Sequence, residues 1–183
     1  EGAMPPLALC PPSSEAPQAD QLAQRADALA TDLRPVPALA NAVAAIEAIA
    51  ELARYARSGS RGPVPGALIH QRRSYRLIDA PVTLDEARRV ATALGARLAC
   101  LDSQFAIDFA AQTFAGQNYF LGASKGRGDW RWDSGGPLKP ARWASGQPAA
   151  GGASDLWLAA IVGKGWTPVA STFQAGFLLE WTP

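Results

Sequence analysis

After Gly116 the sequence contains only short apolar runs, each ended by glycine, proline, serine or aspartate residues. The runs are too short and too irregular for helices, and their length and alternation are typical of strands separated by long loops. In chain order they read NYFLGAS, DWRW, DLWLAAIV, GWTPVA and AGFLLEW. This part of the chain therefore predicts a small, loop-rich, mostly antiparallel sheet.

The stretch GDWRWDSGGPL, residues 128–138, holds two of the six tryptophans of the chain. Because side chains alternate along a strand, Trp130 and Trp132 lie on the same face of it. The residues that follow are turn formers, which end the strand at once. Such a pair of tryptophans forms either the wall of a core or the floor of a binding site.

Two helices are predicted before this sheet. TLDE at residues 83–86 is a capping box, so a helix begins there, runs to Leu94 and ends at Gly95. Asp102 or Ser103 caps a second helix, because the apolar residues resume directly after them. These apolar residues are Phe105, Ile107, Phe109 and Phe114. Two short strands are predicted beside the first helix, at residues 74–78 and 96–101.

The N-terminal part of the chain has a different composition. Residues 1–19 carry five prolines and no apolar periodicity, which predicts a disordered tail. The opening EGAMPP resembles the remnant of a tag, so a signal peptide or membrane anchor could have been removed from the native protein.

Residues 20–57 show helical periodicity on both sides of a proline interruption at 34–37, which predicts two helices joined by a corner. Two short helices bury too little surface to be stable alone. They either pack on the rest of this chain or assemble with other copies as a stalk. Residues 58–66 are rich in Gly, Pro and Ser and predict a linker, followed by a separate domain at 67–183.

The charge pattern excludes some classes of partner. The 17 basic and 16 acidic residues are interspersed, for a net charge of +1. Binding to nucleic acid needs a concentrated basic face, so nucleic acid is not an expected partner. No apolar run reaches the ~18–20 residues of a membrane span.

The two cysteines are Cys10 and Cys100. A disulfide between them would close a loop of roughly 90 residues and could stabilise the fold by about 4 kcal/mol. The alternative is a free Cys100 on a buried strand and a Cys10 in the disordered tail.

The order of helix, strand, helix and loop-rich sheet resembles the C-type lectin-like domain over about residues 70–183. TLDEARRVATALGARLACLDS at 83–103 is similar to the first helix and following strand of that family, and GDWRWDSGGPL to its G-x-W-x-W-x-x-G element. Further matching segments are YFLGAS (119–124), WASGQP (143–148), GKGWTP (163–168) and GFLLEW (176–181). The resemblance implies an α+β C-type lectin-like fold, with Trp130 and Trp132 in the core beneath the long loop.

In that family, sugar binding usually depends on a calcium ion held by an E-P-N or Q-P-D tripeptide and by W-N-D. The matching positions here are Gln147–Ala149 and Trp166–Pro168, which contain no carboxylate. Calcium needs ~6–8 oxygen ligands, and only Gln147 and Thr167 offer side-chain oxygens. We therefore expect no metal site of the family's type and no cofactor.

The framework cysteines of the family are also replaced. The aligned positions hold Ala91, Trp157, Ser171 and Leu179. Hydrophobic packing must take the place of the cross-links. Compared with the family, this pattern is more typical of a bacterial or phage protein than of an animal secreted lectin.

The sequence offers little for catalysis. His70 is the single histidine, and no motif for a nucleophile, a metalloprotease or a phosphate loop is present. We expect His70 to be a surface residue and the chain to be no enzyme.

Binding is the remaining class of function. The long loop, roughly residues 140–155, is the least core-like part of the domain, where recognition sites commonly lie. Its candidate ligand-binding residues are mixed polar and aromatic; some could instead be buried framework. They are Arg142, Trp143, Gln147, Asp155, Lys164 and Trp166.

Two functions follow from these features. The first is a calcium-independent adhesin or receptor-binding module that binds a protein or glycan at an extracellular, cell or virion surface, with a periplasmic location also open. The second is a structural subunit of a pilus-like, filament or secretion complex, in which the N-terminal helices bind partner subunits.

Overall fold

The computed structural model describes residues 62–126, 128–148 and 156–183 continuously. Before residue 62 it describes only Gln24, Ala28, Glu47, 50–52, Arg54, Tyr55 and Ser58. The predicted tail at 1–19 lies outside these residues, as does most of the predicted helical segment. Those described between Gln24 and Tyr55 are helical.

From residue 62 onward, the described chain forms two helices and one mixed sheet, which confirms the predicted α+β class. The elements are β1 (Leu68–His70), β2 (Arg73–Thr83), α1 (Leu84–Ala93), β3 (Arg97–Leu98), α2 (Gln104–Thr113), β4 (Tyr119–Lys125), β5 (Trp130–Trp132), β6 (Leu156–Ile161), β7 (Gly165–Val169) and β8 (Gln174–Trp181). The five runs after Gly116 all form strands, as predicted.

The sheet order is β1-β2-β8-β4-β6-β7, with β3 paired to β8 and β5 paired to β4. All pairs are antiparallel except β4 with β8, where Phe120 lies opposite Phe177. The C-terminal strand β8 is therefore central, and seven of its eight residues are buried.

The first helix begins at the predicted capping box. The Thr83 N–H donates to Glu86 Oε2 at 2.8 Å, and the Glu86 N–H donates to Thr83 Oγ1 at 3.5 Å. This reciprocal pair satisfies amides that the first turn leaves without helical partners. Gly95 takes a φ of +63° just after the helix, as its predicted role in ending α1 requires.

The strand predicted at 96–101 is shorter than expected, because only Arg97 and Leu98 pair with β8 in register. The Ala99 N–H still donates to the Leu178 carbonyl of β8 at 2.8 Å, and the next amide, that of Cys100, donates to the Glu180 side chain at 2.7 Å in place of the backbone. Of the two predicted caps for α2, Ser103 is the one used, and its hydroxyl accepts from the Ala106 N–H.

Alternation along the central strands builds a core on each face of the sheet. Tyr119 and Leu121 of β4 belong to one cluster, which we call the α2-side core because α2 contributes Ile107 and Ala110 to it. Phe120 belongs to the other cluster, the α1-side core. One helix therefore covers each face, as expected for an α+β domain.

The described residues before the domain contact it. Leu52 and Val64 are buried in the α1-side core. Glu51 lies 4.0 Å from Arg76, and the Tyr55 hydroxyl donates to the Gly62 carbonyl at 3.2 Å. Through these contacts, the described N-terminal residues pack on the domain of the same chain. The predicted domain boundaries stay a prediction.

Apolar contacts occupy three of the four positions aligned with the framework cysteines, and the fourth, Ser171, is exposed. Ala91 and Leu179 are both buried in the α1-side core, and Trp157 packs against it. Cys100 is fully buried and forms no disulfide with any described residue. Cys10 lies outside the described residues, so its suggested bridge to Cys100 stays a prediction.

Candidate functional site

Trp130 and Trp132 form core and not an exposed platform. Both are buried, with 9% and 2% of their surface exposed. Trp130 meets Trp143 edge to face with ring centroids 5.2 Å apart, and Trp132 meets Trp166 in the same way at 5.6 Å. The predicted core position of the tryptophan strand is confirmed, and its rings support two residues of the predicted site.

The segment around Trp143 is joined to β7 by a short parallel bridge. The Trp166 N–H donates to the Arg142 carbonyl at 2.8 Å, and the Ala144 N–H donates to the Trp166 carbonyl at 2.8 Å. Gly165 allows this approach, because a Cβ there would lie 3.1 Å from the Arg142 carbonyl oxygen and its φ is +107°. The bridge fixes Arg142 and Trp143 beside Trp166.

A cleft of about 410 Å³ opens between the end of α2, the bridged segment and the turn from β6 to β7. Four of the six predicted ligand-binding residues line it: Arg142, Trp143, Lys164 and Trp166. The remaining lining residues come from α2 and its C-terminal turn, from β4, and from the β6–β7 region, and they were not predicted. They are Ala111, Phe114, Ala115, Gln117, Tyr119, Ala160, Ile161, Val162, Gly163 and Gly165.

Burial separates the base of the cleft from its rim. Phe114, Tyr119 and Trp166 are buried, whereas Arg142 and Lys164 are exposed. Two hydrogen bonds hold the β6–β7 turn in place. The Val162 N–H donates to Asn118 Oδ1 at 2.8 Å, and the Lys164 N–H donates to the Ile161 carbonyl at 3.0 Å. The site thus has a buried aromatic base and two exposed cationic side chains at its edge.

The electrostatics of the cleft are positive. Among the described residues, its lining includes Arg142 and Lys164 and no aspartate or glutamate. Burial raises the pKa of Tyr119 to about 12, and the nearby charge of Arg142 opposes part of that rise. Tyr119 therefore offers a neutral hydroxyl at physiological pH.

We expect the Tyr119 phenol to ionise only near pH 12. Because tyrosines of the unfolded chain ionise near pH ~10, the stability contributed by Tyr119 is complete below that value and is lost as the pH rises through about 12. Burial also raises the pKa of Tyr75 to about 12, so the same dependence of stability on pH is expected for Tyr75. The ionisation of Tyr119 is measured as the phenolate absorbance that is present in wild type and absent from Tyr119→Phe as the pH is raised. A Tyr119 signal completed near pH ~10 in the folded chain would contradict the buried position.

Of the other two predicted residues, Gln147 is not part of the described cleft lining. Gln147 is half-buried and follows the bridged segment, where its N–H donates to the Ala144 carbonyl at 2.9 Å. Asp155 lies outside the described residues, so its role stays a prediction. The structure adds Gln117 and Tyr119, whose positions carry no local sequence signal because they reach the cleft through the fold.

The residues at the aligned calcium positions do not fit a calcium ion. Pro148 and Pro168 have no side-chain oxygen, and the Thr167 hydroxyl lies 3.5 Å from the Gly165 carbonyl. Within the described ranges, no group of three His, Cys, Asp or Glu residues gathers around a common point. Two neutral side-chain oxygens are far fewer than the ~6–8 that calcium takes.

Glu180 is a buried charge away from the cleft. Its carboxylate accepts from Arg97 Nη2 at 2.7 Å and from the Cys100 N–H at 2.7 Å, and lies 3.7 Å from Arg73. Arg73 also forms a bidentate pair with Asp102, at 2.8 and 3.0 Å. Burial raises the pKa of the Cys100 thiol, which keeps it protonated. These contacts join β2, β3 and β8 and have a structural role.

His70 is less exposed than predicted. Its ring stacks on Phe109 with centroids 4.4 Å apart and 9° between the planes, and its Nε2 is buried without a partner among the described residues. The β1–β2 hairpin brings His70 over α2, and this contact between distant elements has no local signal in the sequence. It lies outside the cleft lining.

Several solved structures have the same fold. The human scavenger receptor C-type lectin carbohydrate-recognition domain matches 67% of this chain and 100% of its own, at a TM-score of 0.59 and 15% identity. A calcium-independent type II antifreeze protein matches 67% of this chain and 96% of its own, at a TM-score of 0.59 and 18% identity. The SPL-1–GlcNAc complex matches 64% of this chain and 93% of its own, at a TM-score of 0.58 and 15% identity.

No family model matches the sequence, and no curated protein is significantly similar to it. At these low identities the structural matches establish the fold alone. The chain has a C-type lectin-like fold, as the sequence resemblance implied. None of the described helices is long and apolar enough to cross a bilayer.

Proposed function

We propose that the chain is a non-catalytic, calcium-independent ligand-binding module whose site is the cleft between α2 and the β6–β7 turn. The single observation that carries this proposal is the convergence of Arg142, Trp143, Lys164 and Trp166 on one concavity of about 410 Å³. That volume is in the ~300–1,000 Å³ range of small-molecule sites, and the mixture of aromatic base and polar rim is typical of them.

The comparisons support binding in a general way. Two of the similar structures are a carbohydrate-recognition domain and a complex with GlcNAc, and a third is a calcium-independent protein of the same fold. The poor fit of Gln147 and Thr167 to calcium favours recognition by protein side chains alone.

We further propose that the module is displayed outside the cell, on a bacterial or phage surface, as an adhesin or receptor-binding domain. The alternative, a structural subunit of a pilus-like, filament or secretion complex, depends on N-terminal helices that lie largely outside the described residues. The contacts of Leu52 and Glu51 with the domain favour packing within one chain.

A variant that fills the cleft tests the site. Ala115 is exposed and lines the cleft, so Ala115→Trp is expected to abolish binding without disturbing the core. Ala93→Trp, exposed at the end of α1, is the matched control. Wild type and both variants are applied to glycan and protein arrays in chelator and in calcium.

We expect wild type and Ala93→Trp to bind the same ligand equally in both buffers, and Ala115→Trp to show no measurable binding. Binding that needs calcium, or that survives Ala115→Trp, would overturn the proposed site.

A further inference from the structure

We propose that the cleft binds an aromatic group that carries a carbonyl oxygen, with its ring over Ala160 and its oxygen on the Tyr119 hydroxyl. Such a group is present in an aromatic residue of a partner protein's loop and in free aromatic compounds. This inference rests on the proposed function and adds the chemical class of the ligand. It depends on two hydrogen-bond donors without partners and on the register of three strands.

The first donor is the Tyr119 hydroxyl. Tyr119 lines the cleft and is only 4% exposed, yet its hydroxyl has no hydrogen-bond partner among the described residues. It is not fully enclosed in the core, as the Tyr75 hydroxyl is. The charge of Arg142, which also lines the cleft, acts on the Tyr119 phenol, so the hydroxyl faces the cleft. A nearly buried polar group without a partner is costly, and an acceptor on a ligand satisfies it.

The second donor is the indole N–H of Trp166. This residue lines the cleft and is 3% exposed, and its indole N–H has no partner among the described residues. The indole N–H groups of Trp130 and Trp132, by contrast, are fully enclosed in the core. An indole N–H only donates, and a neutral phenol can donate as well. Because a carbonyl oxygen has two lone pairs, it is the natural complement of these two groups.

The register of the sheet places a slot between the same two side chains. Tyr119 of β4 lies opposite Ala160 of β6, which lies opposite Trp166 of β7, so the three form a row across one face of the sheet. Neighbouring strands are ~4.8 Å apart, so the two aromatic residues stand roughly 10 Å apart with a small alanine between them. A ring over Ala160 then lies roughly 5 Å from each, within the ~4.5–7 Å range of aromatic pairs.

The walls of the cleft disfavour other classes of ligand. On the α2 side, the lining side chains of Ala111, Phe114 and Ala115 are apolar. A saccharide would leave hydroxyl groups unpaired against these walls, which is costly. A cationic ligand would be repelled by Arg142 and Lys164 at the rim. The site therefore fits an apolar ring with one acceptor group.

The backbone of the site disfavours a peptide added as a strand. At this point of β7, the Trp166 N–H and carbonyl are already bonded to Arg142 and Ala144. Strand addition needs free N–H and C=O groups at a sheet edge, and the bridged segment occupies them here. A partner protein would therefore reach the slot with a side chain from a loop.

Removing one hydroxyl tests the inference. Tyr119→Phe keeps the ring, and Tyr75→Phe is the matched control, because Tyr75 is also buried, its hydroxyl has no partner among the described residues and it is not part of the cleft lining. Three probes are titrated and followed by amide NMR: N-acetyl-phenylalaninamide, toluene as a ring alone, and N-acetyl-alaninamide as carbonyls alone. A cyclic peptide with Phe at its loop tip, and its Ala counterpart, form the last arm.

We expect N-acetyl-phenylalaninamide to shift the amides of the cleft and to bind Tyr119→Phe about five-fold more weakly, as for the loss of one hydrogen bond. Tyr75→Phe should bind it like wild type. Toluene should bind wild type and Tyr119→Phe equally, and N-acetyl-alaninamide should bind neither. Tighter binding of the Phe cyclic peptide than of the amide identifies a protein loop as the source, and weaker binding identifies a free aromatic compound.

The inference is overturned if N-acetyl-phenylalaninamide binds wild type and Tyr119→Phe equally, or if neither it nor toluene shifts the cleft amides. The proposed function then stands, provided that the arrays still yield a ligand, such as a glycan, that Ala115→Trp blocks. Binding of the aromatic probe that is unchanged in Ala115→Trp would instead overturn the site itself.

Discussion

Replacing Glu180 with alanine should lower the free energy of unfolding by about 3 kcal/mol. The carboxylate is fully buried, and its loss leaves the buried Cys100 N–H without an acceptor and Arg97 and Arg73 without their shared anion. Breaking a buried ion pair by removing one partner costs ~3–5 kcal/mol. The lower end applies here, because the side chains of Arg97 and Arg73 are 38% and 28% exposed and can turn toward water.

Urea denaturation of Glu180→Ala measures this, with Asp102→Asn as the matched control. Asp102 pairs with the same Arg73, but its side chain is 34% exposed, so its substitution should cost about 1 kcal/mol or less. Equal losses for the two variants would show that the buried contacts of Glu180 contribute no more than a surface pair.

Replacing Gly122 with alanine should destabilise the domain by about 3 kcal/mol or more. A Cβ at this position of β4 would overlap the Leu98 carbonyl oxygen and lie 3.2 Å from the Cys100 sulfur. Because the obstacle is backbone of β3, relief requires the separation of two strands, and overpacking of this kind costs ~1–3 kcal/mol or more. The sign of the change in unfolding free energy is informative, since alanine in a strand interior otherwise stabilises by ~0.5–1 kcal/mol relative to glycine.

Gly116→Ala is the control for Gly122→Ala. No atom lies within 4 Å of a Cβ at Gly116, and its φ is not in the left-handed region. The control should change the unfolding free energy by less than ~0.5 kcal/mol. A stable, native-like Gly122→Ala chain would mean that β3 does not approach β4 as closely as described.

Local patterns predicted most of the fold. The capping box at Thr83, the stop at Gly95 and the alternation of Trp130 and Trp132 each depend on neighbours in sequence, so they could be read directly. Strand β1 and the early end of β3 could not, because the first depends on pairing with β2 and the second on the distant Glu180 side chain.

Only one wall of the cleft, the one formed by the bridged segment and the β6–β7 turn, could be predicted from the sequence. Arg142, Trp143, Lys164 and Trp166 lie in segments that resemble a known binding loop, and the structure brings all four to the cleft. The opposite wall, from Ala111 to Gln117, belongs to α2 and its end, where nothing in the sequence marks a ligand surface. Contacts between elements distant in the chain create that wall.

One titration tests both the calcium independence and the location of the proposed site. A glycan or protein identified on the arrays is titrated calorimetrically into wild type and Ala115→Trp, first in chelator and then in excess calcium. We expect the same dissociation constant for wild type in both buffers and no measurable heat of binding for Ala115→Trp. Binding that appears only with calcium, or that is equal in wild type and Ala115→Trp, would overturn the proposed site.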